Sequence, residues 1–368
     1  MGVAEMSKVV IIGAGKTGRG FLARLLNGHE ICFIDKDPQL TGALNREKAF
    51  EVRFFGDKKP PVTVHFSGAY TWNTVDASVF SGAEVILVAV GGTNLADVGA
   101  QLRKYVAKDS RIIVCENASQ PAKKLGEAIG LPQLRIAEST VFCTTIEREA
   151  GALAINSEWY PYLQFDSAVF SGDAPALEGL KPVSNFGGFL NRKLYTYNSA
   201  SCIIAYLGAY KGYSVYGDAA NDPQILALLD VNYESINRCI CQEYGYTPQD
   251  QREFALLSRD KFTDKTLVDT VARNAREPQR KLTHAERIVA PMLLQQKYGM
   301  DSSVLERTLA AALLYTPPEE TQWNQILSEK GHKGVLREIC GLDKNNPSFC
   351  RIIDMAASKQ IPLADKHP

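Results

Sequence analysis

Lys8-Val9-Val10-Ile11-Ile12-Gly13-Ala14-Gly15-Lys16-Thr17-Gly18-Arg19-Gly20-Phe21 is a short apolar, β-branched run that breaks directly into spaced glycines. Such a run suits a strand buried on both faces. The spacing Gly13-x-Gly15-x-x-Gly18 suits a tight turn that opens a helix, with Lys16 and Thr17 inside the turn. Phe21, Leu22, Leu25 and Leu26 then fall on one helical stripe, Asn27-Gly28 ends it, and Ile31 to Ile34 form a second apolar strand closing on Asp35. The unit reads as βαβ. Bare amides and a helix N-terminus would hold a pyrophosphate, and Asp35 would meet the adenosine ribose hydroxyls. A carboxylate there repels a ribose 2′-phosphate, so the expected cofactor is NAD rather than NADP, with Lys36 the one neighbour that opposes the preference. Gly15-Lys16-Thr17 is not a nucleoside-triphosphate P-loop, because the glycine required five positions earlier is Val10.

Outward from this unit, apolar runs at Ala83 to Val90, Arg111 to Cys115 and Leu134 to Ala137 alternate with helical patterns at Ala96 to Val106 and Pro121 to Ile129. Alternation of this kind predicts a Rossmann-type, doubly wound parallel sheet covered by helices. Phe50 to Tyr70, with Pro60-Pro61, reads as a strand-like excursion. Ser171 to Gly188 is rich in glycine, proline and serine and reads as a linker. From Phe189 the pattern is helical almost to the end. The expected class is α/β plus all-α, with residues 1–185 as the dinucleotide-binding domain and 186–368 as a helical substrate domain.

Composition narrows the function classes. Forty-one lysines and arginines balance 41 aspartates and glutamates, so no global field favours nucleic acid or an anionic membrane surface, and a small-molecule partner is expected. Met1 to Lys8 is too short and polar for a secretory segment, and no apolar run reaches membrane-spanning length, which predicts a cytoplasmic protein. The eight cysteines show no metal-ligand spacing, so no metal is expected and the thiols read as reduced. No tyrosine is followed four residues later by lysine, which removes the short-chain dehydrogenase pair.

The segment richest in chemistry runs from Arg192 to Gly208. At 100° per residue Lys193, Asn198 and Ser201 project within an arc of about 140°, so an amine, an amide and a hydroxyl could face one cleft. A desolvated lysine can take an alcohol proton, and an amide can stabilise the oxygen that carries the developing charge. The same residues also suit a solvated lysine and a helix-bending asparagine.

Gly13-Ala14-Gly15-Lys16-Thr17-Gly18-Arg19-Gly20-Phe21 resembles the opening of the polyol-specific long-chain (mannitol) dehydrogenase family. Val88-Ala89-Val90-Gly91, Cys115-Glu116-Asn117-Ala118, Arg192-Lys193-Leu194 with Asn198, Ala205-Tyr206-Leu207-Gly208 and Arg280-Lys281-Leu282 are similar to later motifs of that family, in the same order. The resemblance implies Lys193 as general base, Asn198 as oxyanion-stabilising amide, Asn117 as a second amide, and Val90, Gly91 and Asn117 at the cofactor. Ser201 stands where the family has histidine, and Ile146-Glu147-Arg148 where it has Val-Asp-Arg. The chain length is similar to that of the phosphate-specific branch, so the activity implied is NAD-dependent oxidation of a secondary alcohol of a hexitol phosphate, of the mannitol 1-phosphate to fructose 6-phosphate type. A sugar-acid (hexonate) dehydrogenase and an NAD-binding regulator without chemistry are the alternatives.

Arg273, Arg276, Arg280 and Lys281 precede Thr283-His284-Ala285-Glu286, which has the form of a capping box at a helix start. Arg280, Lys281 and His284 are therefore expected either to hold a substrate anion or to form a solvated basic turn.

Overall fold

The computed structural model describes residues 6–57, 59–118 and 120–363. Readings that concern residues 1–5 or His367 lie outside that range. The chain divides into two compact units after Gly187.

The first unit contains twelve strands among the described residues: β1 (Lys8–Ile12), β2 (Glu30–Ile34), β3 (Ala49–Phe54), β4 (Val62–His65), β5 (Gly68–Tyr70), β6 (Ala83–Val88), β7 (Arg111–Val114), β8 (Arg135–Thr140), β9 (Thr145–Glu147), β10 (Ile155–Ser157), β11 (Leu163–Asp166) and β12 (Leu180–Val183). Eight form one sheet in the order β12-β11-β8-β7-β6-β1-β2-β5. Every neighbouring pair is parallel except β8 and β11. The apolar runs are continuous because both faces are covered. Val10, Ile12, Cys32, Ile34, Ile86, Val88, Ile112 and Val114 pack on one face with Leu95, Val98, Leu102, Leu125 and Ile129 from the flanking helices. The alternate residues Val9, Ile11, Ile31 and Phe33 are equally buried on the other face.

The order of winding positions a site. The chain moves from β1 to β2 and β5 on one side, then to β6, β7 and β8 on the other, which leaves a crevice at the carboxyl ends of β1 and β6. Two expectations change here. The strand-like excursion belongs to a second sheet, β4-β3-β10-β9, in which β3 pairs in parallel with β10, about a hundred residues later, while Gly68–Tyr70 returns to the main sheet. The stretch read as a linker contains β12, whose Pro182 is accommodated because β12 is an edge strand.

The second unit is helical. Residues 186–210 form one helix, and its Ser199–Tyr210 portion is buried on almost every side, packing with the Pro223–Tyr244 and Ser303–Leu314 helices around Ile203, Tyr206, Leu207, Leu229, Leu309 and Trp323. Gly208 permits close approach, since a Cβ there would lie 2.7 Å from the Ala219 Cβ. Asp222 with Pro223, and Thr247 with Pro248, start the Pro223–Tyr244 and Pro248–Thr263 helices by accepting bonds from their first free amides. The predicted capping box does not form. Thr283 donates to the Arg280 carbonyl instead, Glu286 pairs with Arg287, and the next helix begins only at Val289, with Pro291 in its first turn.

Candidate active site

In the first unit the glycines shape the loop for distinct reasons. Gly13 has φ +99°, and a Cβ would meet the Ala89 carbonyl oxygen at 2.1 Å; a Cβ on Gly18 would meet the Gly13 carbonyl oxygen at 1.9 Å. At Gly15 a Cβ would project into open space. That space is a cavity of about 280 Å3, lined by Gly13, Gly15, Lys16, Thr17, Asp35 and Val90, together with Lys36, Trp72, Asn94 and Val98. A cradle of bare backbone at a helix N-terminus, with a carboxylate at the second strand, fits the pyrophosphate and ribose of a dinucleotide.

Asp35 is already partly used. One carboxylate oxygen accepts from the Ala14 amide at 2.7 Å and the other from the Asp37 amide at 3.0 Å, which fixes the carboxylate against the loop and leaves a lone pair on each oxygen for hydroxyl donors. Gly91 donates its amide to the Glu116 carboxylate at 2.6 Å, so that N–H is committed within the protein. Asn117 accepts from the Val141 amide and the Thr140 hydroxyl and donates to the Val141 carbonyl, tying the end of β7 to the end of β8. Its other N–H has no partner among the described residues.

Arg19 gives Glu147, in the Ile146-Glu147-Arg148 segment, a structural partner. It is 1% exposed, donates to the carbonyls of Ala14, Ala152 and Leu153, and pairs with Glu147 at 2.9 Å. Glu147 thus anchors the arginine that braces the glycine loop against the β9–β10 hairpin.

In the second unit Lys193, Asn198 and Ser201 all lie on the 186–210 helix, and the structure adds a feature that ideal spacing conceals. Leu194–Asn198 is a wide turn in which the Ser199 amide donates to the carbonyl of Leu194, five residues back. Bonding at that interval rotates Asn198 back toward the face of Lys193, closing the arc expected of a regular helix, and such turns occur often at functional sites. Burial pushes the Lys193 amine down to about 8, and the positive charges of Lys261 and Arg287 push in the same direction. The side-chain amide of Asn198 is half-buried and makes no hydrogen bond among the described residues.

Ser201 donates to the Asn274 side-chain oxygen at 3.4 Å, and Lys281 donates to the Asn274 backbone carbonyl at 2.6 Å. Lys281 is only 5% exposed; burial, then Arg287 and Arg280, hold its amine below the ordinary lysine value. Arg280 points outward and pairs with Glu277 at 2.9 Å. His284 is exposed, its Nδ1 3.3 Å from the Cys340 carbonyl oxygen. The structure therefore brings Lys281 into the electrostatic neighbourhood of Arg287, which also acts on Lys193, and leaves Arg280 and His284 at the surface. Lys261, Arg287 and Asn274, like Trp72 and Asn94 in the first unit, escaped sequence reasoning because no local motif marks them.

Among the described residues no group of three or more histidines, cysteines or acidic residues is placed to hold a metal, and no helix is long and apolar enough to cross a membrane.

Comparison with known proteins follows the same division. Residues 185–347 match the mannitol dehydrogenase C-terminal domain family, and residues 9–158 match the family described as ketopantoate reductase PanE/ApbA. A mannitol-1-phosphate 5-dehydrogenase of Brevibacillus brevis is 28% identical, over 92% of this chain and 94% of its own. Among solved structures, a D-sorbitol dehydrogenase in substrate-free form superposes with a TM-score of 0.72 at 11% identity, covering 97% of this chain and 94% of the other. The mannitol 2-dehydrogenase of Pseudomonas fluorescens, solved with NAD and D-mannitol, superposes with a TM-score of 0.60 at 13% identity, covering 97% and 93%. At these identities the structural likenesses bear on the fold, an α/β sheet unit followed by a helical unit. Residues 185–347 are thus similar to the mannitol dehydrogenase C-terminal domain family, and along most of its length the chain is similar to a mannitol-1-phosphate 5-dehydrogenase.

Proposed function

We propose that the protein is an NAD-dependent, metal-independent polyol dehydrogenase acting on a secondary alcohol of a hexitol phosphate. The observation that carries this reading is the Lys193 amine, held at about 8 at the start of a wide helical turn that ends in Asn198, whose amide has no hydrogen bond among the described residues. An amine so poised is a competent base near neutrality, which a solvated lysine is not.

Bound NAD supplies the hydride acceptor. Lys193 Nζ, in its neutral form, takes the hydroxyl proton of the substrate as the carbinol C–H bond breaks and the carbonyl forms; in the reverse direction the ammonium returns that proton. Asn198 donates from its amide to the same oxygen, where negative charge develops. Gly13, Gly15, Lys16, Thr17 and Gly18 would hold the pyrophosphate, Asp35 the ribose hydroxyls, and Val90 the wall of the cradle; Asn117 is assigned to the cofactor side through its remaining N–H. Gly91 contributes shape, its amide being taken by Glu116.

The phosphate is assigned to Lys281, Arg287 and Lys261. Arg287 acts on both Lys193 and Lys281, and Lys261 acts on Lys193, so a dianion among them would relieve that repulsion. Arg280, paired with Glu277, is a lesser contributor. A hexonate carboxylate would meet the same cations, so sugar acids are the second substrate class.

The test is incubation with NAD and a panel of hexitol phosphates, free hexitols and hexonates while NADH absorbance is followed. Turnover is expected with at least one hexitol phosphate and should exceed that with the corresponding free hexitol. Tight NAD binding with no turnover on any alcohol would replace this reading with that of a regulator.

A further inference from the structure

The wide turn at Leu194–Asn198 needs something to hold it, because an ordinary α-helical continuation would bond each carbonyl four residues on. A single buried side chain reaches both ends of the segment around Lys193. Gln251, on the Pro248–Thr263 helix, is 0% exposed. Its carbonyl accepts from Arg192 Nε at 2.7 Å, and its amide donates to Thr196 Oγ1 at 3.1 Å and to Asn237 Oδ1 at 2.7 Å. One amide thus clamps the residue before Lys193 and the residue three after it, and Asn237 ties that amide to the Pro223–Tyr244 helix.

The surroundings leave the clamp little freedom. Arg192 is 4% exposed, bonded to Asp250 through its side chain and carbonyl at 2.8 Å each, and held between the rings of Tyr246 and Phe254 at 4.0 and 4.2 Å. Thr196 is fully buried within the wide turn. Gln251 is therefore packed between fixed partners, with both amide hydrogens and the carbonyl used. The same helix carries Lys261, one of the charges acting on Lys193.

We propose that Gln251 is a positioning residue, a buried clamp that holds the wide turn open and thereby sets the direction in which Lys193 and Asn198 present their side chains. It touches neither substrate nor cofactor. Its catalytic meaning rests on the proposed role of Lys193, but its structural claim does not. Removing the clamp lets the turn relax toward α-helical bonding and swings Lys193 out of its desolvated position. Among the described residues the charges that act on the amine include Lys261 from the Pro248–Thr263 helix and Arg287, itself paired with Glu286; Asp250 pairs with Arg192.

The test uses the full-length protein and a readout independent of turnover. Trace acetylation with acetic anhydride across pH, read by peptide mass spectrometry, reports the titration midpoint of Lys193 in the wild type and in Gln251→Met, Thr196→Val and Thr196→Ser. The wild-type midpoint is expected near the value of about 8. Gln251→Met and Thr196→Val should raise it by roughly one unit or more as the amine gains water, and Thr196→Ser, which keeps the hydroxyl, should restore it. On a substrate the wild type oxidises, the first two variants should lose about 10- to 100-fold in kcat, as expected for a misplaced catalytic group, with NADH affinity by fluorescence unchanged. If Gln251→Met does not fold, the Thr196 pair decides. Folded Gln251→Met and Thr196→Val proteins with the wild-type midpoint would overturn the proposal. A wild type that titrates near 8 but oxidises no polyol would instead defeat the functional reading, leaving the labelling to judge the clamp.

Discussion

The base assignment makes its sharpest prediction in the pH dependence of kcat/KM for alcohol oxidation. The perturbed group is a cation whose neutral form is favoured by burial and by Lys261 and Arg287, so its folded value falls below 10.5, to about 8. Neutral amine is the active form; activity therefore rises as pH rises through the folded value and is lost below it. From pH 9 to pH 6 the neutral fraction falls from about 90% to about 1%, so kcat/KM should drop roughly 90-fold with a limiting slope of one. At neutral pH the depression is worth a factor of about 300 in available base over a lysine in water. A bound phosphate returns negative charge to the cluster, so the limb in kcat should lie above the limb in kcat/KM. The assay is NADH absorbance with the best substrate of the panel, with Lys193→Met as control; that variant should lose about two to four orders of magnitude and the limb with it. A limb centred near 10, or one that survives in Lys193→Met, would refute the reasoning.

Asp35, fixed by the Ala14 and Asp37 amides, should make NAD(H) bind more tightly than NADP(H); parallel fluorescence titrations check it, and equal affinities would remove Asp35 from that role. Lys281→Met and Arg287→Met should each raise KM for a hexitol phosphate at least about tenfold with NADH affinity unchanged, while Arg280→Ala changes it little, because its guanidinium is spent on Glu277. Ser201→His adds a larger ring that displaces the Asn274 contact; kcat/KM on the preferred substrate should fall, and an increase would mean that the pocket still has room for the imidazole of the wider family.

The legible part of the fold was the part with local period. The strand, glycine loop, helix and Asp35 lie within 28 residues and each constrains the next, and Pro121–Ile129 carries its own start and stop signals in Pro121 and Gly130. What was not legible depends on distant partners. Nothing near Ala49–Phe54 announces pairing with Ile155–Ser157, and Pro182 argues against a strand unless an edge position is already known. The site divides the same way. Lys193, Asn198 and Ser201 could be picked out by residue type and spacing, but the wide turn that changes their angle is held by Gln251, more than fifty residues away. Thr283-His284-Ala285-Glu286 looked like a capping box because its spacing is right; the acid found arginine partners instead of a helix amide. Lys281 and Arg280 carry the same charge side by side in the sequence, and only burial separates them.

In the proposed reaction this protein moves a hydride from a polyol carbinol to NAD while Lys193 takes the proton. The measurement that meets it most directly is mass spectrometry of the nicotinamide product after incubation with NAD and a hexitol phosphate deuterated at its carbinol carbons, in wild type and Lys193→Met. Singly deuterated NADH from the wild type, with formation slowed at least about a hundredfold in the variant, is the predicted result. Absence of deuterium transfer in the wild type, or equal transfer in both proteins, would contradict it.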